Sequence, residues 1–439
     1  MKKEKQNDKN LILLLIIAFL FIITTTYIII LLLKQETYDE INKNELLSVQ
    51  KIANEDDINK MYENPELEEY IRVDVIINGK KITNCGFRTK GSSAYKVLEQ
   101  ANNTTKHGYR LELDYYNKNQ SYNGIKKFYL NNNILDPTYL KEMIAFDIYE
   151  EAGVPTPVRA YTELSINDKN DGIYTIVEIP EEAFLIRNYG YDYGILYKPK
   201  ITEEYAPENE KSLVYKDDNL DSYPVIKYCE KYGRTFTQTE ANNLIASLKA
   251  ISENNMEEYV DIDSVLDYLM VSFFIPNDDS YISKSFRNFY IYQEDKKITL
   301  LPYDLNLYFR YTEFLNQPIL NYDKYITTES KPLIYNLLSN QKYQEQYKQK
   351  MYDLIEKLEK DDFLYKRMEY YYSLISDSIK NNSNNFYSYD RANIAVNAFK
   401  EFFEARIRCV KKQLDSGLVN ETIMYENTLN VNLLNEYYK

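Results

Sequence analysis

Residues 276–306 read PNDDSYISKSFRNFYIYQEDKKITLLPYDLN, and the reading of this stretch decides the fold. Asp278 and Asp279 form an acidic pair. Asn288 then opens an alternating run, Phe289, Tyr290, Ile291 and Tyr292. A charged turn, 293–297, separates it from a second apolar run, 298–302, which delivers Asp304. Alternating apolar residues on both sides of a short polar turn predict two antiparallel strands. A hairpin folds back on itself, so Asp279, Asn288 and Asp304 are expected to meet at its base. Two acids and an amide form a hard-oxygen site of the kind Mg²⁺ takes together with substrate phosphates. The same spacing also fits two solvated loop acids, because Asp and Asn are common turn residues.

Protein kinases carry a similar order: a catalytic-loop Asp, an Asn a few residues on, a short hairpin, then a metal-binding Asp. The stretch resembles the core signature of the CotH family, spore-coat protein kinases with an atypical kinase fold. That family's pattern is approximately N-x-D, a gap, N-[FY]-[FY]-x-Y, then P-W-D-L-D. Here it is matched by Asn277-Asp278-Asp279, Asn288-Phe289-Tyr290-Ile291-Tyr292 and Pro302-Tyr303-Asp304-Leu305-Asn306. Tyr303 stands for the Trp, and Asn306 stands for the second Asp, which removes one negative charge.

The resemblance implies an α+β, two-lobed kinase-like fold with a strand-rich N-terminal lobe and a mainly helical C-terminal lobe. It implies ATP as the nucleotide and Mg²⁺ (or Mn²⁺) as the metal. Asp279 would be the catalytic residue, Asp304 and Asn288 the metal ligands, and a protein Ser or Thr the acceptor. Two alternatives stay open: a pseudokinase that binds nucleotide or assembles partners without turnover, and a transferase that moves AMP. A two-carboxylate glycosidase fits less well, because Asn288 would have no task.

Upstream segments extend the resemblance. Val73, Val75 and Ile77 alternate, Asn78-Gly79 marks a tight hairpin turn, and Ile82, Cys85 and Phe87 return. The strand leads into Arg88-Thr89-Lys90-Gly91-Ser92-Ser93. Cations, a glycine and hydroxyls after a strand suit phosphate contact. Most such turns are only turns, but this one is similar to the family's R-G-N-S-S segment. The strand KHGYRLELDY (106–115) is similar to K-K-S-[FY]-R-[IL], with Lys106 and Arg110 at the basic positions. A strand lysine there can contact phosphates; most lysines at such places are simply solvated.

Asp136-Pro137 predicts a helix from Tyr139 to Ala152, closed by Gly153. Glu142 or Lys141 on it can bridge to a phosphate-binding residue, although a surface pair is the ordinary outcome for either. GIYTIVEIPEE (172–182) matches the family's G-x-Y-x-x-x-E, which carries Glu178 over as a nucleotide-pocket residue. Gly194 to Lys198 is similar to G-x-L-Y-K and brings Lys198 to the same pocket. Residues 199–221 read as an insertion, and from Thr239 the chain reads as mainly helical, with Asp263 capping the helix that feeds Asp279. The last helix, 392–414, contains Phe402-Phe403-Glu404-Ala405-Arg406, similar to the family's closing F-x-x-R, and is assigned to packing.

The 439 residues have room for two lobes. With 53 basic against 67 acidic residues, nucleic acid is not expected as a partner. Cys85, Cys229 and Cys409 fit neither a zinc spacing nor a closed disulfide set, and His107 is the single histidine. The abundance of Tyr (46) with no Trp reads as codon bias rather than function. Residues 11–33 are almost unbroken apolar sequence, which at ~1.5 Å per residue reaches ~30 Å. With Lys2, Lys3, Lys5 and Lys9 before it, the run reads as a single transmembrane anchor; a cleaved signal peptide is the rival reading, but its apolar region would be shorter and end in small residues. The basic residues 1–10 would stay cytoplasmic and the body would lie outside the cytoplasm. The expected order is then a stalk over 34–69, a kinase-like domain over 70–420 with lobes meeting near 198, and a tail over 421–439.

Overall fold

Alternation of apolar and polar residues carries the first half of the chain into strands β1 (Leu46–Ala53), β2 (Ile71–Ile77), β3 (Lys80–Lys90) and β4 (Gly108–Glu112). It continues through β5 (Lys127–Asn131), β6 (Arg159–Ile166) and β7 (Lys169–Glu178). The structure is a computed structural model that describes residues 15–26, 41–91, 97–98, 105–199, 213–283, 288–309, 315–320, 327, 330–417 and 431–434. The strands close into a barrel in the order β1-β2-β3-β4-β5-β7-β6. β1 closes it by parallel pairing with β6, from Leu46↔Tyr161 to Lys51↔Ile166. Closure leaves no strand edge unpaired. Val49, Val75, Phe87, Tyr109, Leu111, Phe128 and Ile176 fill the interior. Asn78 and Gly79 join β2 to β3 with φ of 46° and 82°, the left-handed pair that a two-residue hairpin of this twist requires.

β1 corrects the expected stalk. LLSVQKIA lies among charged residues and on its own reads as an exposed segment, but β2 and β6 give it two partners. Between β1 and β2, helix α1 (Glu55–Glu63) is capped by Asn54 and buries Ile58 and Met61. The folded body therefore includes residues 41–69.

The transmembrane anchor and the localisation derived from it are also corrected. No helix among the described residues is long and apolar enough to cross a membrane. Helix is described over 15–26. At ~1.5 Å per residue that is ~18 Å, short of a ~30 Å hydrocarbon core. Residues 11–14 and 27–33 of the apolar run lie outside the described residues, as do 200–212 of the expected insertion and most of the expected tail.

Helix α2 (Lys141–Glu151) is buried along nearly its whole length. Asp136 opens it from further out than a simple cap, accepting from the amides of Thr138 at 2.9 Å and Lys141 at 2.8 Å. After helix α3 (Glu182–Tyr189) a second sheet forms from β8 (Ile195–Lys198), β9 (Glu230–Gly233), β10 (Phe289–Glu294) and β11 (Lys297–Pro302). Its order is β11-β10-β8-β9. β8 pairs with β10 at Tyr197↔Ile291, so 195–198 belongs to this sheet and not to the strand-rich first half.

The longer remaining elements are helices: α4 (Gln238–Ser252), α5 (Ile262–Phe274), α6 (Pro332–Ser339), α7 (Gln341–Glu359), α8 (Phe363–Asn381) and α9 (Tyr389–Ser416). Asp261, not Asp263, caps α5. The chain is thus α+β, a barrel followed by a helical half around a small sheet. Buried residues of α2, α5, α7, α8 and α9 share one apolar core with the inner faces of β8, β10 and β11.

Candidate active site

The hairpin forms where alternation placed it, with β10 and β11 paired from Phe289↔Pro302 to Glu294↔Lys297. Its base is closed by the Tyr303 amide donating to the Asn288 carbonyl at 3.2 Å. Asn288 and Asp304 flank this base with φ of 51° and 52°. Asn and Asp tolerate the left-handed region better than other side chains, and such strain gathers at functional sites. Asn288 Nδ2 donates to Asp279 Oδ2 at 2.9 Å and reaches the Asp304 carbonyl at 3.5 Å. Asp279, Asn288 and Asp304 are therefore neighbours at one point.

Lys90, the last residue of β3, reaches across to this point. Its ammonium lies 2.9 Å from Asp304 Oδ2 and donates to Asn131 Oδ1 at 3.0 Å. Asn131, the last residue of β5, donates to Asp304 Oδ1 at 3.3 Å and to Glu142 Oε2 at 2.7 Å. Glu142 of α2 also accepts from the Tyr129 hydroxyl at 2.9 Å. Burial works against the Lys90 charge, but the Asp304 and Glu142 carboxylates more than offset it and hold its pKa above the ordinary lysine value.

Other expected nucleotide residues lie on the strands beside Lys90. Arg88, Arg110 and Tyr129 stand side by side across β3, β4 and β5. Two arginines directly opposite each other repel, and nearby acids offset them. Arg88 pairs with Glu68, and Arg110 lies 2.8 Å from Glu112 and 3.9 Å from Glu230 on β9. Glu230 feels the burial of its carboxyl, but the Tyr232 hydroxyl and the Lys198, Arg110 and Lys127 charges lower its pKa. Gly91 has φ of 98°, open to glycine, and its amide donates to Glu68 Oε1 at 3.2 Å. A carboxylate thus sits on the amide and guanidinium of this turn. Lys198 lies 4.1 Å from the centre of the Tyr303 ring, with Lys90 6.0 Å from the same centre.

Two expected residues are not brought here. The Lys106 ammonium donates to the Asp171 carbonyl and lies 4.7 Å from the Tyr174 ring centre. Burial lowers its pKa to about 8. Glu178 is buried, pairs with Arg187 and accepts from the Val158 amide at 3.0 Å. Its backbone ends β7, but its carboxylate braces α3 against the barrel. Ser92 and Ser93 lie outside the described residues.

A sequence profile described as "CotH kinase protein" matches residues 87–410, most of the chain. The chain belongs to the CotH family. The matched CotH span begins inside β3 and ends inside α9, so it takes in Lys90, Asn131, Glu142, Asp279, Asn288 and Asp304. Relatives from Bacillus subtilis (strain 168) include "Inner spore coat protein H", 22% identical over 191 residues, 42% of this chain and 50% of the relative. A second, "Inner spore coat protein H-like protein", is 29% identical over 104 residues, 24% of this chain and 32% of the relative. The chain spans half or less of the length of these curated relatives.

Within this CotH site, sequence reasoning missed Asn131 and Glu68, and it weighed Glu142 as a bridge to a phosphate-binding residue but favoured a surface pair. Asn131 stands in a run of three asparagines that reads as turn chemistry, and nothing local marks it. Glu142 carries one faint signal, an acid in the first turn of a helix otherwise rich in apolar residues.

No three His, Cys, Asp or Glu side chains gather into a metal cage among the described residues. Asp304 and the Asn288 amide oxygen instead fit a Mg²⁺ or Mn²⁺ that arrives on phosphates, since Mg²⁺ needs only one or two carboxylates from protein.

Burial, and then the Asp304 charge, push the Glu142 carboxyl up to about 7. The folded chain therefore holds a proton between about 4.5 and about 7 that the unfolded chain releases. Its contribution to stability is full below the lower value and is lost as pH rises through the upper one. Glu142→Gln is expected to remove this dependence, gaining on wild type by on the order of 2–3 kcal/mol between pH 5 and pH 8. Urea unfolding across that range checks it. Parallel curves for the two proteins would contradict it.

Proposed function

We propose that this CotH family member is a metal-dependent phosphotransferase with an atypical kinase architecture, acting on protein Ser or Thr with ATP as donor. The observation that carries the reading is the meeting of Asp279, Asn288 and Asp304 at one hairpin base, with Lys90 of the barrel on Asp304. ATP is proposed to lie between the barrel and the helical half. Arg88, Lys90, the Gly91 amide, Arg110 and Lys198 supply positive charge for its phosphates. Asp304 and Asn288 would hold the metal, which when bound neutralises charge on the phosphates and on the leaving oxygen.

Asp279 orients the acceptor hydroxyl and takes its proton. The hydroxyl oxygen bonds to the γ-phosphorus, the bond from that phosphorus to the bridging oxygen breaks, and ADP leaves. Little covalent chemistry is asked of the protein, so positioning and fixed charge suffice. The Glu68 carboxylate on Gly91 and Arg88 is an anion at a place suited to phosphate, which supports the same reading. The names of the two Bacillus relatives support a setting in spore coat assembly.

Asn306, where the family pattern has a second Asp, favours a second reading: a nucleotide-binding assembly protein without turnover. Incubation with Mg²⁺ and γ- or α-labelled ATP, with casein-like acceptors and the chain itself, separates the possibilities. Phosphotransfer requires γ-label on protein with wild type and none with Asp279→Asn. Label from α-labelled ATP alone indicates nucleotidyl transfer. No label, with melting still raised by Mg·ATP, indicates the assembly protein.

A further inference from the structure

The amide of Asn131 has one acceptor and two N–H donors, and each has a charged partner. Oδ1 accepts from the Lys90 ammonium at 3.0 Å, while Nδ2 donates to Glu142 at 2.7 Å and to Asp304 at 3.3 Å. Turning the amide over would aim its NH₂ at an ammonium and its carbonyl at two carboxylates, so the surrounding charges fix its orientation. No other side chain of this length does the same. Asp lacks the donors, Ser has one donor, and Leu has neither. Asn131 is 5% exposed, and its backbone is held in the barrel opposite Thr175 of β7. A group placed on a rigid strand holds geometry more tightly than one on a loop.

We infer that Asn131 is a positioning residue that keeps Lys90 and Asp304 in register with each other and ties both to Glu142 of α2. The inference rests on the phosphotransfer reading of the site but assigns Asn131 no contact with substrate. In this structure both Asp304 oxygens are engaged, Oδ2 by Lys90 and Oδ1 by Asn131. A phosphate that draws Lys90 away releases Oδ2 toward a cation. Asn131 then keeps the carboxylate from rotating through its hold on Oδ1. Lys90 and Asp304 thereby exchange partners without losing their common reference in the barrel and α2.

Asn131→Asp and Asn131→Ala in the full chain test this. The first keeps shape and the acceptor for Lys90 but removes both donors; the second removes everything. Should the alanine variant fail to fold, Asn131→Ser replaces it. Two quantities are measured. One is kcat and KM for ATP. The other is the factor by which Mg²⁺ strengthens ATP binding, read from titrations with and without metal.

Both variants are expected to lose kcat by about 10- to 100-fold, with KM changing about threefold or less. The Mg²⁺ enhancement is expected to shrink several-fold, while metal-free ATP binding stays near wild type. A role in shape alone would leave Asn131→Asp near wild type in both quantities, and that result overturns the inference. If wild type transfers no phosphate, the phosphotransfer reading fails by itself. The Mg²⁺ enhancement then decides on Asn131: a decrease in the variants supports it and no change overturns it.

Discussion

Asp304→Ala is expected to lower phosphate transfer by at least about a thousandfold while leaving the fold in place. The side chain has two partners in the structure, Lys90 and Asn131, and both lie in the barrel. Removing it takes away the negative charge that the proposal assigns to the metal. It also frees Lys90 to approach Glu142. Metal charge stabilisation is worth several kcal/mol in a transition state, and each ~1.4 kcal/mol is tenfold in rate. Asp304→Asn separates charge from shape. It keeps the size of the side chain but cannot neutralise a cation, so it is expected to be nearly as inactive. Single-turnover transfer of γ-label, with the melting temperature as a control for folding, checks both variants. An Asp304→Asn protein within tenfold of wild type would contradict the role given to this carboxylate.

The second large effect is structural and lies behind the catalytic loop. Arg406 of α9 is 0% exposed. Its guanidinium donates to the carbonyls of Phe273 and Phe274 at 2.9 Å each, Leu315 at 2.8 Å and Gln317 at 2.9 Å. The first two belong to the end of α5, where helix carbonyls lack intrahelical partners. Arg406 thus closes α5 two residues before Pro276 and ties it to the segment after Asp304. Asp279 and Asp304 depend on that register.

Arg406→Met fills most of the volume but strands the buried carbonyls of Phe273, Phe274 and Leu315, each costing about 1–3 kcal/mol unless water reaches it, while the Gln317 carbonyl still accepts from Gln413 Nε2 at 3.0 Å. The expected loss is about 4 kcal/mol of stability, among the larger single-residue effects. Arg406→Lys, with one compact donor head, is expected to fall between. Urea midpoints measure it, and a Met variant within about 1 kcal/mol of wild type would refute the bracing role.

How far the sequence reveals this arrangement varies by element, for physical reasons. The β10–β11 hairpin and the Asn78-Gly79 turn were legible because both signals are local: strict alternation and a dipeptide suited to positive φ. Asn288 and Asp304 follow from the hairpin, since its geometry brings its ends together; Asp279 lies upstream of β10, and its hydrogen bond with Asn288 comes from the loop between them. The helices from α5 onward were legible from apolar spacing, with ends off by a few residues.

β1 was not legible, because its strand conformation comes from β2 and β6 rather than from LLSVQKIA itself. Lys90, placed in the turn after one strand, and Lys106, placed on the next, both read as phosphate contacts. Strand parity separates them in the structure: Lys90 shares the outward face with Arg88, while Lys106 precedes β4 and turns toward Asp171. Arg406 read as packing because its four acceptors lie far away in the chain. Asn131 depends on three elements crossing at one point, which no window of sequence contains. The apolar run over 11–33 was read from hydropathy alone, and helix is described over only its middle part.

The most direct test of the central claim follows Mn²⁺ by electron paramagnetic resonance, with and without a non-hydrolysable ATP analogue. Wild type is expected to bind Mn²⁺ weakly alone and much more tightly with the analogue, because one carboxylate and an amide need phosphates to complete the ion's shell. Asp304→Ala is expected to lose the tight component. Equal Mn²⁺ binding with and without nucleotide, or an unchanged tight component in Asp304→Ala, would contradict a metal–nucleotide site at the base of this hairpin.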